Sequence, residues 1–285
     1  MDLNVKISLQ IPQSEREDRY FSFRLKQHLS NEPSVYKQPE RLFVVSNIKG
    51  NLRGFYKLLF RNRVIDRYFQ WSFGDGHLVI LGNSLDENEQ FLECLWFIYS
   101  LEEKARLGGG YVHFLLGNNE IANMNRDWWN MHPKYARKRS LTVSGHNSTT
   151  ALYDASNELW RSLCTKNIME KVGGVLFVYG GIAPELNRLS LSVADTNILA
   201  RSYYTLSNRP IDIQDHAVLF DNNVSPLGYA GYYNGNASQE QIDETLMKMG
   251  VKAIITGFAL SGQVTALFDG RVINVNTDYI TSKPE

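Results

Sequence analysis

The chain has 285 residues, of which 43% are hydrophobic, and its 30 basic and 30 acidic residues give a formal net charge of zero. This length and composition suffice for a substantial core, in one large domain or two closely packed ones. The balanced charge and the lack of a long basic run argue against nucleic-acid binding, and no apolar run approaches the roughly 18–20 residues that span a bilayer.

The two cysteines, Cys94 and Cys164, fall in apolar helical patterns without the spacing of metal ligands, which predicts buried free thiols. The N-terminus has no charged head followed by an apolar stretch, so no signal peptide is visible. We therefore expect a cytoplasmic protein, or a periplasmic one if a signal peptide has been removed from the sequence.

Residues 1–40 hold few long apolar patterns and predict an arm on the surface, with one candidate strand from Val5 to Ile11. Over residues 41–285, strand and helix patterns alternate, which is typical of a layered α/β domain. The first of these strands, Leu42 to Val45, ends in a turn at Gly50 and leads into a helical pattern.

Two further strands, beginning at His77 and at Tyr111, repeat this design. The ends of the three strands are followed by Asn47, Asn83 and Asn118. The carboxyl ends of such strands face the crevice in which α/β proteins bind ligands, so the three asparagines are expected to meet there.

A long helix is predicted from about Asn88 to Leu107, followed by a mainly helical insertion of about residues 121–170 that overhangs the crevice. His113 lies inside a strand and is predicted to be a core histidine with satisfied hydrogen bonds. His132 and His146 lie in the insertion, and we interpret them as structural residues.

The C-terminal part of the chain adds strands and one clear helix. A buried strand runs from Gly174 into the Gly180-Gly181 turn, and a later helix has a capping residue at Ser238 and ends at Gly250. Three strands complete the chain at about residues 252–256, 263–268 and 272–275. The pair Asp269-Gly270 predicts a hairpin turn between the last two.

Five short motifs follow one another along residues 41–276. They are Ser46-Asn47-Ile48-Lys49-Gly50, Gly82-Asn83-Ser84-Leu85-Asp86-Glu87-Asn88, Gly117-Asn118-Asn119-Glu120, Tyr179-Gly180-Gly181 and Gly257-Phe258. Together they resemble the motifs of the calcineurin-like metallophosphoesterases, in particular the protein-phosphatase-type branch and its bacterial Shewanella-like phosphatases. Five motifs in order at strand ends are far more specific than any one of them.

The resemblance implies a metallophosphoesterase-like β-sandwich of two mixed sheets, flanked by helices, with two metal ions between the strand ends. The family's metal-ligand positions correspond here to Asn47, Lys49, Asn83, Asn118, Tyr179 and Phe258. Only Asn118 keeps the family residue, because the other five positions are aspartate or histidine in the family.

The resemblance also assigns the catalytic positions. The family's general acid, a histidine, corresponds to Asn119, and the aspartate that orients it is kept as Asp86. Two arginines that bind phosphate in the family correspond to Glu87 and Ala230. The catalytic positions are therefore vestigial, although the turn glycines around them are kept.

Two divalent ions need anionic oxygens or imidazoles around them, and an amide is a weak neutral ligand. We therefore predict a pseudophosphatase that needs no cofactor, whose crevice residues bind an unknown protein or a phosphorylated ligand. The Lys49 ammonium is expected to occupy the space of a lost metal. It would hydrogen-bond to Asp86 and to the amide oxygens of Asn47 and Asn83.

The alternative is an active phosphoesterase with an altered site. Asp86, Glu87, Glu120 and His132 would then assemble a single-metal centre for manganese, iron or zinc. A third interpretation treats each asparagine as an ordinary turn residue, since Asn is common after strands. The coincidence of every substituted position with a family ligand favours the first hypothesis.

Overall fold

The computed structural model of the chain describes residues 6–11, 19–84, 90–125, 157–206, 214–221 and 223–277. Over these ranges strands and helices alternate and two sheets pack face to face, which confirms the predicted α/β class and sandwich fold. No helix within the same ranges is both long enough and apolar enough to cross a membrane.

The elements of the described ranges are numbered in chain order. The strands are β1 (Lys6–Ile11), β2 (Arg19–Arg24), β3 (Val35–Tyr36), β4 (Leu42–Ser46), β5 (His77–Leu81), β6 (Tyr111–Leu115), β7 (Met169–Val172), β8 (Val175–Val178), β9 (Ala253–Thr256), β10 (Thr265–Leu267) and β11 (Val272–Asn274). The helices are α1 (Leu52–Arg61), α2 (Phe91–Leu107), α3 (Asn118–Met124), α4 (Glu158–Cys164), α5 (Pro184–Leu189), α6 (Val193–Arg201), α7 (Gln214–Phe220), α8 (Gly231–Asn234) and α9 (Gln239–Met249).

The first sheet has the order β4-β5-β6, and all of its strands are parallel. Along β5, Leu78 and Ile80 belong to the core that includes the helices, whereas Val79 and Leu81 belong to a second cluster with Phe177 of β8. This alternation follows from the two-residue period of a strand. Both faces of the sheet are therefore covered, as is usual for parallel sheets.

The second sheet has the order β10-β11-β9-β8-β7-β3 and mixes parallel with antiparallel pairs. The prediction of two mixed sheets is thus correct for this sheet and wrong for the first. The parallel arrangement of β4, β5 and β6 has a simple cause, because α1 lies between the first two strands and α2 between the last two, and each crossover returns the chain to the same end.

The predicted surface arm holds more structure than its sequence pattern indicates. Its candidate strand is confirmed as β1, but the pattern missed β2, which pairs with β1 in an antiparallel hairpin. Phe21 and Phe23 of β2 are buried against Phe97 and Tyr99 of α2. The hairpin is thereby tied to the domain core.

The described C-terminal end of the predicted insertion holds a helix followed by the start of a strand. Helix α4 ends at Cys164, and β7 begins at Met169, inside the range expected to be helical. The β7 strand was missed because its sequence, Met-Glu-Lys-Val, has two charged residues in a run of four. Residues 126–156, which include His132 and His146, lie outside the described residues.

Local signals set the ends of the later elements as predicted. The Ser238 side chain accepts a hydrogen bond from the Gln241 N–H, and Gly250 ends α9 with a φ of 61°. Asp269 and Gly270 both have positive φ angles, of 54° and 80°, as a tight hairpin turn requires. Cys94 is a buried free thiol as predicted, and Cys164 is free but only half-buried.

The predicted core histidine, His113, is fully buried between the two sheets. One ring nitrogen lies 2.6 Å from a Glu170 carboxylate oxygen of β7, and the other lies 2.9 Å from a ring nitrogen of His77. Tyr36 of β3 packs edge-on against the His113 ring, with 4.4 Å between the ring centroids. Both ring nitrogens of His113 therefore have hydrogen-bond partners, which confirms the prediction of a satisfied core histidine.

This arrangement predicts a loss of stability in acid. Burial, together with the neighbouring His113, lowers the pKa of His77 from 6.5 to about 4. The folded state therefore resists a proton that the unfolded chain accepts, so stability falls as the pH drops from about 6.5 towards 4. Urea unfolding at about pH 7 and about pH 4.5 should show a smaller loss of stability in His77→Gln than in the wild type. His28→Gln, at an exposed position, is the control, and equal losses in all three proteins would contradict the prediction.

Candidate functional site

The crevice begins with two turns that follow β4 and β5. Asn47 and Asn83 adopt left-handed φ angles of 50° and 49°, a region that Asn tolerates better than most residues. The two turns are joined by backbone hydrogen bonds from Asn47 N–H to Gly82 O, 3.3 Å, and from Lys49 N–H to Asn83 O, 3.0 Å. The two asparagines are therefore held side by side.

A fully buried carboxylate fixes the second turn to the third. Glu120 of α3 accepts hydrogen bonds from the backbone N–H groups of Gly117 and Asn83, both at 2.8 Å, and of Ser84 at 2.7 Å. A hydrogen bond to a charged acceptor is stronger than one between two neutral groups, and a buried, low-dielectric site strengthens it further. Glu120 thus acts here as a structural acceptor.

Tyr179, which follows β8, connects the two asparagines. Its hydroxyl donates to Asn47 Oδ1 at 3.0 Å and accepts from Asn83 Nδ2. Asn47 Nδ2 donates to the carbonyl of Gly257, and Asn83 Oδ1 accepts from the Asn119 N–H at 3.2 Å. We call the side chains of Asn47, Tyr179 and Asn83 the amide–tyrosine clasp. It joins the carboxyl ends of β4 and β5 to the second sheet.

Aromatic rings line the crevice beside the clasp. Phe258 packs edge-to-face on Tyr179 with 5.7 Å between ring centroids, and Tyr233 lies 6.4 Å from Phe258. Burial, and next the Glu120 charge, raise the pKa of Tyr179, so its phenol stays protonated at neutral pH. Burial also raises the pKa of Tyr233, to about 12.

Two glycines are required by close approaches in this region. A Cβ on Gly82 would lie 2.6 Å from the Tyr179 ring and 2.7 Å from Gly117 Cα. A Cβ on Gly257 would lie 2.6 Å from the Ser46 Cβ. These distances are too short for real carbon contacts, so the clasp can form only where both residues are glycine.

Solved structures of phosphatases share this fold. A cold-active protein-tyrosine phosphatase of a psychrophilic Shewanella species matches with a TM-score of 0.82 and 25% identity, over 97% of this chain and 91% of that chain. A second structure of a cold-active protein tyrosine phosphatase matches with a TM-score of 0.82 and 26% identity, over 97% and 89%. A protein serine/threonine phosphatase of Saccharomyces cerevisiae shares the fold, with a TM-score of 0.58 and 15% identity over 88% and 74%.

Curated relatives match shorter stretches. The Shewanella-like protein phosphatase 2 of Arabidopsis thaliana is 28% identical over 106 residues, which are 37% of this chain and 26% of its own length. An uncharacterized protein of Schizosaccharomyces pombe is 26% identical over 160 residues, 54% of this chain and 48% of its own length. The chain thus spans less than half the length of these relatives. No profile of a known protein family matches the chain.

The chain is therefore similar in fold and in sequence to Shewanella-like protein phosphatases, which is consistent with a calcineurin-like fold. The sequence resemblance assigned the three clasp residues and Phe258 to metal-ligand positions, and the structure brings these four side chains together. Asn118 is exposed at the start of α3, directly after Gly117. The binding role of these residues stays a prediction.

The predictions for Lys49, Asp86 and Glu87 have different outcomes. Lys49 is half-buried with a φ of 51°, and its ammonium has no hydrogen bond or ion pair to any other described residue. Its expected bonds to Asn47 and Asn83 are therefore wrong, because the Asn47 oxygen faces Tyr179 and the Asn83 oxygen faces Asn119. Asp86 and Glu87 lie outside the described residues.

Ala230 directly precedes α8, which carries Tyr233 to Phe258. Within the described ranges, no group of three or more histidine, cysteine, aspartate or glutamate side chains is arranged to hold a metal ion.

The sequence alone could not reveal the hydrogen bonds of Tyr179, because they join residues more than ninety positions apart in the chain.

Removal of the Tyr179 hydroxyl tests the clasp. Tyr179→Phe keeps the ring but leaves the Asn47 oxygen and an Asn83 N–H without their buried partner. We expect urea unfolding to show a loss of about 1–3 kcal/mol. Tyr68→Phe, at an exposed tyrosine, is the matched control and should change stability little. A Tyr179→Phe protein as stable as the wild type would rule out a structural role for the clasp.

Proposed function

We propose that this chain is a pseudophosphatase, a protein with a phosphatase fold whose crevice binds a phosphorylated ligand without hydrolysing it. The observation that supports this proposal most directly is the amide–tyrosine clasp. The Tyr179 hydroxyl bonds to the side chains at two positions that carry metal-binding aspartates in the family. A protonated phenol between two amides satisfies the polar groups that a metal ion would otherwise bind.

The donor set does not fit a two-metal centre. The oxygens of Asn47 and Asn83 already accept hydrogen bonds, Phe258 has no lone pair to offer, and a cationic Lys49 repels a divalent ion. Hard divalent cations prefer anionic oxygen ligands, whereas the clasp residues are neutral. We therefore derive no metal-dependent step for this crevice.

The position of the general acid gives separate support. Asn119 carries an amide, which cannot supply a proton to a leaving group at neutral pH. Its backbone N–H donates to Asn83, so the residue contributes to the frame of the crevice. Ala230, at the position of a family phosphate-binding arginine, brings no charge.

The crevice nevertheless keeps groups that suit a phosphorylated ligand. Lys49 supplies a positive charge, Asn118 an exposed amide, and Phe258 a half-buried ring. An ammonium is a common partner of phosphate oxygens, and aromatic rings pack against the organic part of a ligand. Solved neighbours are titled protein-tyrosine phosphatases, which makes a phosphorylated tyrosine the first ligand to test.

The absence of catalysis is tested on protein purified without a histidine tag. We expect elemental analysis to find far less than one manganese, iron or zinc per chain. We also expect that, with manganese present, the protein hydrolyses p-nitrophenyl phosphate no faster than buffer without protein does. Asn83→Asp alone should not restore activity, because parts that act as a unit are not additive. Stoichiometric metal together with turnover would instead support the altered single-metal site around Asp86, Glu87, Glu120 and His132.

Ligand binding is tested by calorimetry with O-phosphotyrosine as the probe. Because Lys49 is the proposed charged contact, Lys49→Gln should bind about tenfold more weakly, in line with the loss of one charge-assisted bond. Lys37→Gln, at an exposed position directly after β3, is the matched control and should bind as the wild type does. Equal affinities of the two variants would contradict the proposed role of Lys49.

A further inference from the structure

A second surface lies at the far end of α1 from the crevice. Helix α1 starts beside the crevice turns, and its 10 residues extend roughly 15 Å at the usual rise per residue. The last two residues of α1 and the chain that follows them towards β5 form a closed loop, residues 60–70, which we call the arginine–aromatic loop. Neither the proposed function nor the family motifs involve it.

Backbone hydrogen bonds give this loop a fixed shape. Arg63 N–H donates to Phe60 O at 3.0 Å, Val64 N–H to Leu59 O at 2.9 Å, and Asp66 N–H to Gln70 O at 2.9 Å. Val64, Ile65 and Phe69 are buried and anchor the loop to the core. A surface that is already ordered loses little conformational entropy when a partner binds.

The loop displays aromatic rings and guanidinium groups together. Phe60 is 44% exposed and Tyr68 is 61% exposed, and both are large side chains that would normally be buried. Arg61, Arg63 and Arg67 of the same loop are also exposed, and the Arg67 guanidinium lies 4.6 Å from the Tyr68 ring centroid. Tyrosine and arginine are the residue types most enriched among the energetic centres of protein interfaces.

The charge of this surface departs from that of the chain as a whole. Residues 60–70 contain three basic residues and one acidic residue, although the whole chain is neutral. The acidic residue, Asp66, accepts hydrogen bonds from the N–H groups of Tyr68 and Gln70 and so closes the turn. The loop therefore presents a local positive field next to apolar surface.

We propose that the arginine–aromatic loop is a docking surface for an acidic polypeptide segment that carries apolar side chains. Guanidinium groups form paired hydrogen bonds with carboxylates, and the exposed rings of Phe60 and Tyr68 offer contacts for apolar side chains between them. A nucleic acid fits less well, because its phosphates require a longer track of positive charge than this loop provides.

The test uses a fluorescein-labelled peptide of twelve residues, built from repeats of glutamate, glutamate and phenylalanine, and the full chain. We expect saturable, salt-sensitive binding to the wild type and about tenfold weaker binding to Arg63→Glu/Arg67→Glu. Arg61 is left unchanged because it lies in the last turn of α1, where its charge favours the helix. The matched control, Lys37→Glu/Lys252→Glu, changes the net charge equally at exposed sites elsewhere and should bind within about twofold of the wild type.

Tyr68→Ala removes an aromatic ring without changing the net charge. It should also weaken peptide binding, which would show that the ring contributes in addition to the charges. Hydrogen exchange on the wild type needs no variant, and the peptide should protect residues 60–70. The proposal is overturned if the wild type shows no saturable binding, or if the control weakens binding as much as the arginine variant does. It is equally overturned if residues 60–70 gain no protection, or if a twelve-residue uridine oligonucleotide binds these arginines more tightly than the peptide.

Discussion

The geometry of the crevice depends on one buried carboxylate. Glu120 accepts the N–H groups of Gly117, Asn83 and Ser84, and it thereby fixes the turn after β5 against the start of α3. The turn after β4 is fixed in consequence, because the N–H groups of Lys49 and Gly50 donate to carbonyls of the turn after β5. Without this acceptor, three buried N–H groups would lose a charged partner, and each such loss costs about 1–3 kcal/mol.

The sequence resemblance implies that the side chains on this frame differ from those of the family, whereas the solved neighbours share the fold itself. The glycines that allow close approach, Gly82 and Gly257, are both present, and Asn47 and Asn83 hold left-handed backbone angles. Backbone shape is set by such local requirements and by Glu120, whereas chemistry is set by the side chains placed on it. A fold and its function can therefore separate without a change in the course of the main chain.

Much of this arrangement could be predicted from the sequence. The strand ends, the turn glycines and the meeting of Asn47 with Asn83 follow from apolar runs and from motif order. The strand β2 could not be predicted in the same way, because its pairing with β1 and its burial against α2 are long-range. The expected hydrogen bonds from the Lys49 ammonium to Asn47 and Asn83 were wrong, because charge alone did not show that Tyr179 and the Asn119 N–H would bond to these oxygens.

The amide–tyrosine clasp is formed by three uncharged side chains. Attraction between charges weakens as salt is added, and a metal site empties in the presence of a chelator, whereas neutral dipoles respond to neither. The contact that the clasp makes between the two sheets is therefore expected to change little with the ionic strength around the protein. Because the clasp consists of the chain's own side chains, this contact between the sheets forms together with the fold.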